Sequence, residues 1–287
     1  MDLNDKNFVW QCRQILAQNA FKIYFSVITV FVIWILTVIG VYLVSFSSGN
    51  ILSISLMFFA GWFCSMVVGF SLVYGYDLLL LKIVKNEQAV LGHLFEGFRQ
   101  LKRMVRPGLF FAAVFFVLSV TGSIGLIAIR GDDALNPDTM AFVAFFIIIA
   151  FALVCFIYIF FPFLWQTQQD SSISRVLAQS RLLLKGNRLA FIRNFIIFAW
   201  KSLCIFILSY ICIAFLQNRI PESVSAIFSF TGTISAYITA VKFFLLAAVF
   251  YYRLTANPDT ETFETDNDVP VYSIESDINE ENPGTEE

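Results

Sequence analysis

The sequence has little charge, and it lacks the residue patterns of common catalytic and metal sites. Only 14% of the 287 residues are charged, against about 25% in ordinary soluble domains. A single histidine, His93, and the absence of a Cys-x-x-Cys pair leave a zinc site without its usual ligands. The chain also lacks a phosphate-binding glycine loop, a His-Glu-x-x-His helix and a Gly-x-Ser-x-Gly elbow. These absences argue against an ATPase, a metalloprotease or a serine hydrolase, and we predict no catalytic residue, cofactor, metal or nucleic-acid partner.

The cysteines give no sign of a disulfide framework. Four of the five lie inside apolar runs, and none lies in a predicted external loop. They are Cys12, Cys64, Cys155, Cys204 and Cys212.

Apolar side chains are what the sequence has in excess. Hydrophobic residues make up 58% of the chain, 34 residues are phenylalanine, and the mean hydropathy is +0.75. A helix needs roughly 20 apolar residues to cross about 30 Å of hydrocarbon. Six stretches satisfy this requirement, at about 21–45, 51–75, 108–129, 140–165, 194–216 and 226–251. The predicted fold class is therefore all-α, a polytopic bundle of six transmembrane helices, and we expect no cleavable signal peptide before the first one.

The basic residues orient this bundle. The predicted loops 46–50, 130–139 and 217–225 contain only two basic residues, Arg130 and Arg219. Of the 19 Lys and Arg residues, 15 lie in the other two loops and at the two ends of the bundle. Those 15 are found in residues 1–22, 76–107 and 166–193 and at Arg253. Cytoplasmic loops carry the excess of positive charge. We therefore predict a multi-pass protein of the bacterial inner membrane with both termini in the cytoplasm.

The acidic residues divide the chain into two parts. Eleven of the 21 Asp and Glu residues follow Arg253, and no Lys or Arg does. A segment with little apolar content and high charge does not form a packed core. We predict a transmembrane domain over residues 1–253 and a disordered, acidic cytoplasmic tail over 254–287.

In three basic segments the apolar residues recur at the spacing of an amphipathic helix, so we predict three helices that lie at the cytoplasmic interface. The third is predicted to begin at an N-cap at Asp170 or Ser171 and to end at Gly186-Asn187. The apolar faces are Phe8, Val9, Cys12, Ile15 and Leu16 in the first, Val90, Leu91, Leu94, Phe95, Phe98, Leu101 and Val105 in the second, and Ile173, Val176, Leu177, Leu183 and Leu184 in the third.

These segments suggest an internal triplication. The spans that follow them begin near Phe21, Pro107 and Phe191, at almost equal intervals, so a unit of one interfacial helix and one hairpin would occur three times. The alternative is that any protein with an even number of spans and basic cytoplasmic loops looks periodic.

Two regions carry a family resemblance. The block Ser180-Arg-Leu-Leu-Leu-Lys-Gly-Asn-Arg188, which leads to Phe195, Phe198 and Trp200, resembles the signature of a bacterial family of integral membrane proteins classified as a domain of unknown function. The Phe95-Glu-Gly-Phe98 element is similar to a second region of that family. The chain departs from the pattern at Leu184, where the family usually has methionine, and around Pro162. The resemblance implies a six-helix membrane fold without an assigned activity.

Two lysines lie within predicted spans. From the spacing to Arg193 and Arg253, Lys201 and Lys242 are placed roughly 12 and 16 Å from the cytoplasmic boundary on consecutive antiparallel helices. A cation at this depth costs at least about 2.5 kcal/mol. One interpretation is a cavity that admits an anion or a lipid headgroup, and the other is that both side chains extend towards the interface along their aliphatic stems.

Two stripes of small residues predict close helix packing, because small side chains let helix backbones approach. They are Gly61, Ser65 and Gly69, and Gly232, Ala236 and Ala240. The last span also carries several Ser and Thr hydroxyls, which either line a polar path or bond to their own helix.

Two basic clusters are predicted to face the inner leaflet, where each cation is worth about 1 kcal/mol near anionic lipid. They are Arg99, Lys102, Arg103 and Arg106, and Arg181, Lys185, Arg188 and Arg193. We expect Asp77 and Glu87 to pair locally with Lys82 and Lys85.

The sequence leaves two function classes open. One is a small transporter or a lipid- or anion-handling protein, which the paired lysines favour. The other is a non-catalytic scaffold or accessory factor that contacts other membrane proteins, which the interfacial helices and the packing stripes favour. In either case we expect the bilayer and its anionic inner-leaflet lipids to be partners.

Overall fold

The computed structural model describes residues 6–46, 51–130, 150, 153–168, 171–216 and 222–256. These residues contain no strand and are almost entirely helical, which confirms the all-α fold class. The elements in chain order are α1 (Lys6–Phe46), α2 (Ile51–Val84), a 3-10 helix (Leu91–Phe95), α3 (Glu96–Arg99), α4 (Leu101–Arg130), α5 (Phe161–Thr167), α6 (Ile173–Leu184), α7 (Arg188–Leu216) and α8 (Glu222–Ala256).

Five of the described helices, α1, α2, α4, α7 and α8, are long and apolar enough to cross a membrane. Large apolar side chains cover their outer surfaces, and Phe21 and Phe230 are 73% and 69% exposed. Such a surface is unfavourable in water and is matched to lipid. These helices indicate a multi-pass membrane protein, as predicted from hydropathy.

Twelve of the 26 residues of the fourth predicted span, 140–165, lie outside the described residues. Its described end is not one continuous helix, because the chain turns at 158–160 before α5 begins. Pro162 occupies the first turn of α5, where a missing N–H costs nothing. The break therefore coincides with the proline that the sequence places near a span end.

Helix α1 contains both the first amphipathic segment and the first span. The two are separated at Asn19, whose backbone is not helical (φ −118°, ψ 18°). Before this break, Phe8, Val9 and Cys12 are buried. The Phe8 ring packs edge-on against Phe250 of α8, with the centroids 5.8 Å apart. The segment is thus docked on the end of α8.

The second amphipathic segment is not the single helix that its spacing predicts. It is divided into the 3-10 helix, α3 and the start of α4, and it crosses α2 at very short range. A Cβ atom on Gly75 would lie 2.0 Å from the Leu94 carbonyl oxygen, and one on Gly97 would lie 2.0 Å from the Ser71 carbonyl oxygen. This crossing fixes the backbone path, so three of the predicted apolar positions are exposed. They are Val90, Phe95 and Leu101.

The third amphipathic segment forms α6. Its N-cap is Ser172, whose hydroxyl accepts a hydrogen bond from the Arg175 backbone N–H at 3.4 Å. The cap lies one residue after Ser171, and Asp170, the other predicted cap, lies outside the described residues. The turn after α6 contains Gly186 at φ +88°, a conformation that glycine adopts without strain. Val176, Leu177 and Leu184 form the buried face.

The core lies at one end of the bundle, which we call the packed end. It is formed mainly by residues 71–84 of α2, 159–165 and 241–251 of α8, nearly all of them buried. Aromatic rings join these segments, since Phe160 stacks on Phe250 at 6.2 Å and meets Phe191 of α7 at 6.5 Å. Helix α2 contacts α1, the 3-10 helix, α3, α4, α5 and α8, so it is central to the packed end.

Candidate functional site

Lys242 of α8 is half-buried against α7. Its Nζ atom donates to the Ser202 hydroxyl at 3.4 Å and lies 5.8 Å from the centroid of the Phe198 ring. The Ser202 hydroxyl oxygen accepts a hydrogen bond from the ammonium group, and the negative face of the Phe198 ring attracts its positive charge. Lys242 is therefore positioned by α7 and does not extend freely along α8.

Lys201 of α7 is exposed, and its Nζ atom lies 5.7 Å from the centroid of the Trp200 ring. Trp200 is itself 50% exposed. Tryptophan is enriched where the apolar part of a membrane meets the headgroups. The pair presents a cation and an amphipathic ring on the outer surface of the bundle.

Arg13 of α1 brings a third cation to these lysines. Its guanidinium donates to the Ile197 carbonyl of α7 at 3.4 Å. Arg13 and Lys201 both lie within electrostatic reach of Lys242. We call Arg13, Lys201 and Lys242 the three-cation site. Arg13 is not predicted from the sequence, because nothing in the spacing places residue 13 beside residue 197.

The three-cation site has no acidic partner among the described residues. None of its three side chains forms an ion pair there, whereas Arg99 pairs with Glu96 at 3.2 Å elsewhere on the surface. Like charges that influence one another disfavour their charged forms, and an anion bound among them removes this cost. A guanidinium fork together with ammonium groups is suited to a phosphate or a carboxylate.

The small-residue stripes lie at helix contacts. A Cβ atom on Gly61 would lie 2.2 Å from a methyl group of Val41 in α1, and one on Gly69 would lie 3.1 Å from the Trp34 ring. A Cβ atom on Gly232 would lie 3.3 Å from the Ser209 side chain and 3.2 Å from the Tyr210 side chain of α7. Ser65 is buried, and Ala236 and Ala240 are half-buried.

The hydroxyl groups of α8 are used locally. Thr231, Thr233 and Thr239 each donate to the carbonyl oxygen four residues earlier, at 2.7–2.9 Å. These bonds are the usual way for threonine to satisfy its hydroxyl within an apolar helix. The described geometry therefore offers no aligned polar path along α8 from these three residues.

The predicted basic clusters divide into two kinds of residue. Most of their described side chains are exposed at the packed end. Arg103 differs, because its guanidinium points inward and donates to the backbone carbonyls of Trp165 and Gln168, the latter at 2.8 Å. It also lies 5.1 Å from the centroid of the Trp165 ring. Arg103 therefore holds α5 against α4. The exposed members are Arg99, Lys102, Arg106, Arg181, Lys185, Arg188 and Arg193.

Asp77 is a buried acid whose setting the sequence analysis misjudged. The second span was predicted to end at residue 75, but α2 continues to Val84 and places Asp77 inside it. The expected pairing with Lys82 is wrong, because the Lys82 Nζ atom lies 3.1 Å from His93 Nε2. The four leucines after Asp77 are the signal that could have revealed this, since an apolar run continues a span.

The comparisons give no relative from which a role could be transferred. The chain matches no family model, no curated protein and no solved structure. Function therefore has to be argued from the sites themselves.

Proposed function

We propose that this chain is a lipid- or anion-handling membrane protein that binds the phosphate of an anionic lipid at the three-cation site. The observation that carries the proposal is that Arg13, Lys201 and Lys242 are brought together from three helices without an acidic partner among the described residues. Positive groups are costly within a span and are retained where they have a function. Their convergence favours a bound anion over three unrelated side chains.

The composition of the site supports a lipid as the source of that anion. Lys201 is exposed beside Trp200, and the neighbouring surface of α7 is apolar, with Ile196 and Ile197 exposed. A lipid can place its phosphate among the cations and its acyl chains along this apolar surface. A soluble anion gains only the first of these contacts.

The membrane topology is part of the same proposal. We place the chain in the bacterial inner membrane with both termini in the cytoplasm. It would have six spans, of which five are the described helices and the remaining one is provided by residues 140–165. The positive-inside bias of the loops supports this orientation. The packed end would then lie on the cytoplasmic side, at the depth where the inner leaflet supplies anionic lipid.

We also propose that the chain contains the threefold repeat and that it belongs to the bacterial six-helix family. The buried segments 71–84, 159–165 and 241–251 each include the C-terminal end of the second span of one predicted hairpin. A unit that occurs three times would bring three equivalent helix ends to the centre of the bundle. The Ser180–Arg188 block remains the basis for membership of the six-helix bacterial family.

A scaffold function is the second candidate. The interfacial segments favour it, because Phe8 and Val176 are buried in the packed end and do not project as free arms. A solid cytoplasmic end of this kind can serve as a docking platform for other membrane proteins. The two candidates differ in whether lipid retention depends on the three cations.

Lipid retention by the purified protein tests the proposal. The full chain is isolated from membranes, and the lipid that remains bound is measured by native mass spectrometry or extraction. We expect anionic lipid to be enriched over its share of the membrane. Lys201→Met combined with Lys242→Met should lower this enrichment by roughly thirtyfold, since two cations are worth about 2 kcal/mol.

The matched control replaces one lysine outside the site. Lys85 is exposed directly after the end of α2, carries the same charge and belongs to neither basic cluster. Lys85→Met should leave lipid retention within about twofold. Equal retention in the double variant and the wild type would contradict lipid binding at this site and would favour the scaffold.

A further inference from the structure

Asp77 lies inside the membrane-spanning part of α2, where acidic side chains are rare. It stands seven residues before the helix ends at Val84, which is about 10 Å along the helix axis. The residue is 1% exposed, and its Oδ1 atom has no hydrogen-bond partner among the described residues. An ionised carboxylate in such surroundings is costly unless a cation or several donors compensate for it.

Asp77 lies beside a buried tyrosine, and it forms no ion pair with a cation among the described residues. The Tyr76 hydroxyl is buried without a hydrogen-bond partner, and it lies within electrostatic reach of Asp77, Tyr24 of α1 and Tyr237 of α8. The Tyr237 hydroxyl donates to the Tyr24 backbone carbonyl, which joins α1 to α8 beside this cluster. The Tyr76 ring packs edge-on against Phe244 at 5.7 Å. Three helices therefore contribute to a tyrosine cluster that reaches Asp77 through Tyr76.

The charged side chains that the structure describes on the elements packed against α2 are exposed or engaged elsewhere, and burial is the influence that acts on the Asp77 carboxyl. Lys22 of α1 and Lys102 and Arg106 of α4 are exposed. The engaged groups are Lys82 with His93 of the 3-10 helix, Glu96 of α3 with Arg99, Arg103 of α4 with the Gln168 carbonyl, Arg253 of α8 with Gln11 of α1, and Arg13 and Lys242 in the three-cation site.

We propose that Asp77 is a proton-binding site within the bundle, with its carboxyl group protonated at neutral pH and the Tyr76 hydroxyl as its buried neighbour. A proton neutralises the carboxylate and needs no further ligand. A divalent metal such as Ca²⁺ needs roughly six or more oxygen ligands, and the described surroundings supply far fewer. This site does not depend on the three-cation site or on lipid binding.

Infrared spectroscopy of the purified full-length protein tests the proposal, because a protonated carboxyl group has a C=O band that a carboxylate lacks. At pH 7 we expect a band that corresponds to one carboxyl group per chain. Asp77→Asn should remove it. Glu96→Gln, which removes an acid that is paired on the surface, should leave it unchanged.

Two further measurements separate the alternatives. Asp77→Glu keeps the acid and should shift the band without removing it, so the assignment stands even where Asp77→Asn folds poorly. Asparagine is a neutral analogue of the protonated acid, and the wild type should lose thermal stability relative to Asp77→Asn as the pH rises, because the folded chain holds a proton that the unfolded chain releases. Absence of a band that depends on Asp77, or its loss when Na⁺ replaces K⁺ in the buffer, overturns the proposal.

Discussion

Two glycines determine how closely the chain after α2 crosses back over that helix. Gly75 faces the Leu94 carbonyl and Gly97 faces the Ser71 carbonyl, and in both cases a Cβ atom would lie 2.0 Å from backbone oxygen. Backbone on both sides leaves no flexible side chain to move aside. The crossing is therefore possible only with glycine at these positions.

Gly75→Ala should accordingly destabilise the protein. Overpacking of a well-packed core costs about 1–3 kcal/mol, and a clash with backbone belongs at the upper end of this range. We expect a lower melting temperature in detergent and a smaller monodisperse fraction on size-exclusion chromatography. Gly92→Ala is the matched control, because a Cβ atom at Gly92 has no neighbour within 4 Å. If the two variants melt alike, the crossing is looser than described.

Individual residues also show where sequence reasoning ends. Lys201 and Lys242 could be selected from the sequence, because a lysine in an apolar run stands out. Arg13 could not be added, since its role depends on a contact with Ile197. Asp77 lies beyond the predicted end of the second span at residue 75, whereas α2 continues to Val84 with six other elements packed against it.

The short helix α5 is held by a side chain from another helix. It has seven residues, and the Arg103 guanidinium binds the carbonyls of Trp165 and Gln168 at its C-terminal end. These carbonyls are among the last of the helix and have no partner within it. A cation at this position also interacts favourably with the helix dipole.

Arg103→Met should lower the stability of the protein by about 1.5–3 kcal/mol, the range for hydrogen bonds to a charged group. Thermal unfolding followed by circular dichroism measures this loss. Lys102→Met removes an exposed cation from the neighbouring position and should change stability by no more than about 0.5 kcal/mol. A similar effect of both substitutions would indicate a general loss of charge and not the loss of the α5 contact.

The elements differ in how far the sequence predicts them. Helix α6 was predicted to within a residue at its start, because a serine cap, an apolar face and a glycine are all local signals. The segment 90–105 was predicted as one helix and is three, because its path is set by α2 and not by its own spacing. Helix α4 likewise begins at Leu101, before Pro107, although proline suggested a boundary.

At the scale of the whole molecule, the helices are packed most tightly at one end. The buried segments of α2 and α8 and the aromatic rings at Phe160 and Phe191 lie there, whereas residues elsewhere on the same two helices, such as Phe59 and Phe230, are exposed. Hydropathy predicts that these helices cross a membrane, but it does not predict which end holds the core. That asymmetry arises from the three amphipathic segments, which add apolar surface at the packed end.

The number of spans can be tested through the two termini, because an even number places them on the same side. Five described helices can span, and residues 140–165 would supply the sixth. We expect green fluorescent protein to fluoresce when it is fused after Glu287 or before Met1, because this reporter folds in the cytoplasm.

Alkaline phosphatase is the complementary reporter, because it is active only outside the cytoplasm. It should be active when it is fused at 217–221, between α7 and α8, and inactive after Glu287. Activity of alkaline phosphatase after Glu287 together with fluorescence of the N-terminal fusion would show that residues 140–165 do not cross the membrane. That result would also contradict the packed end, where Phe8 of α1 packs against Phe250 of α8, and it would exclude the threefold repeat of hairpins.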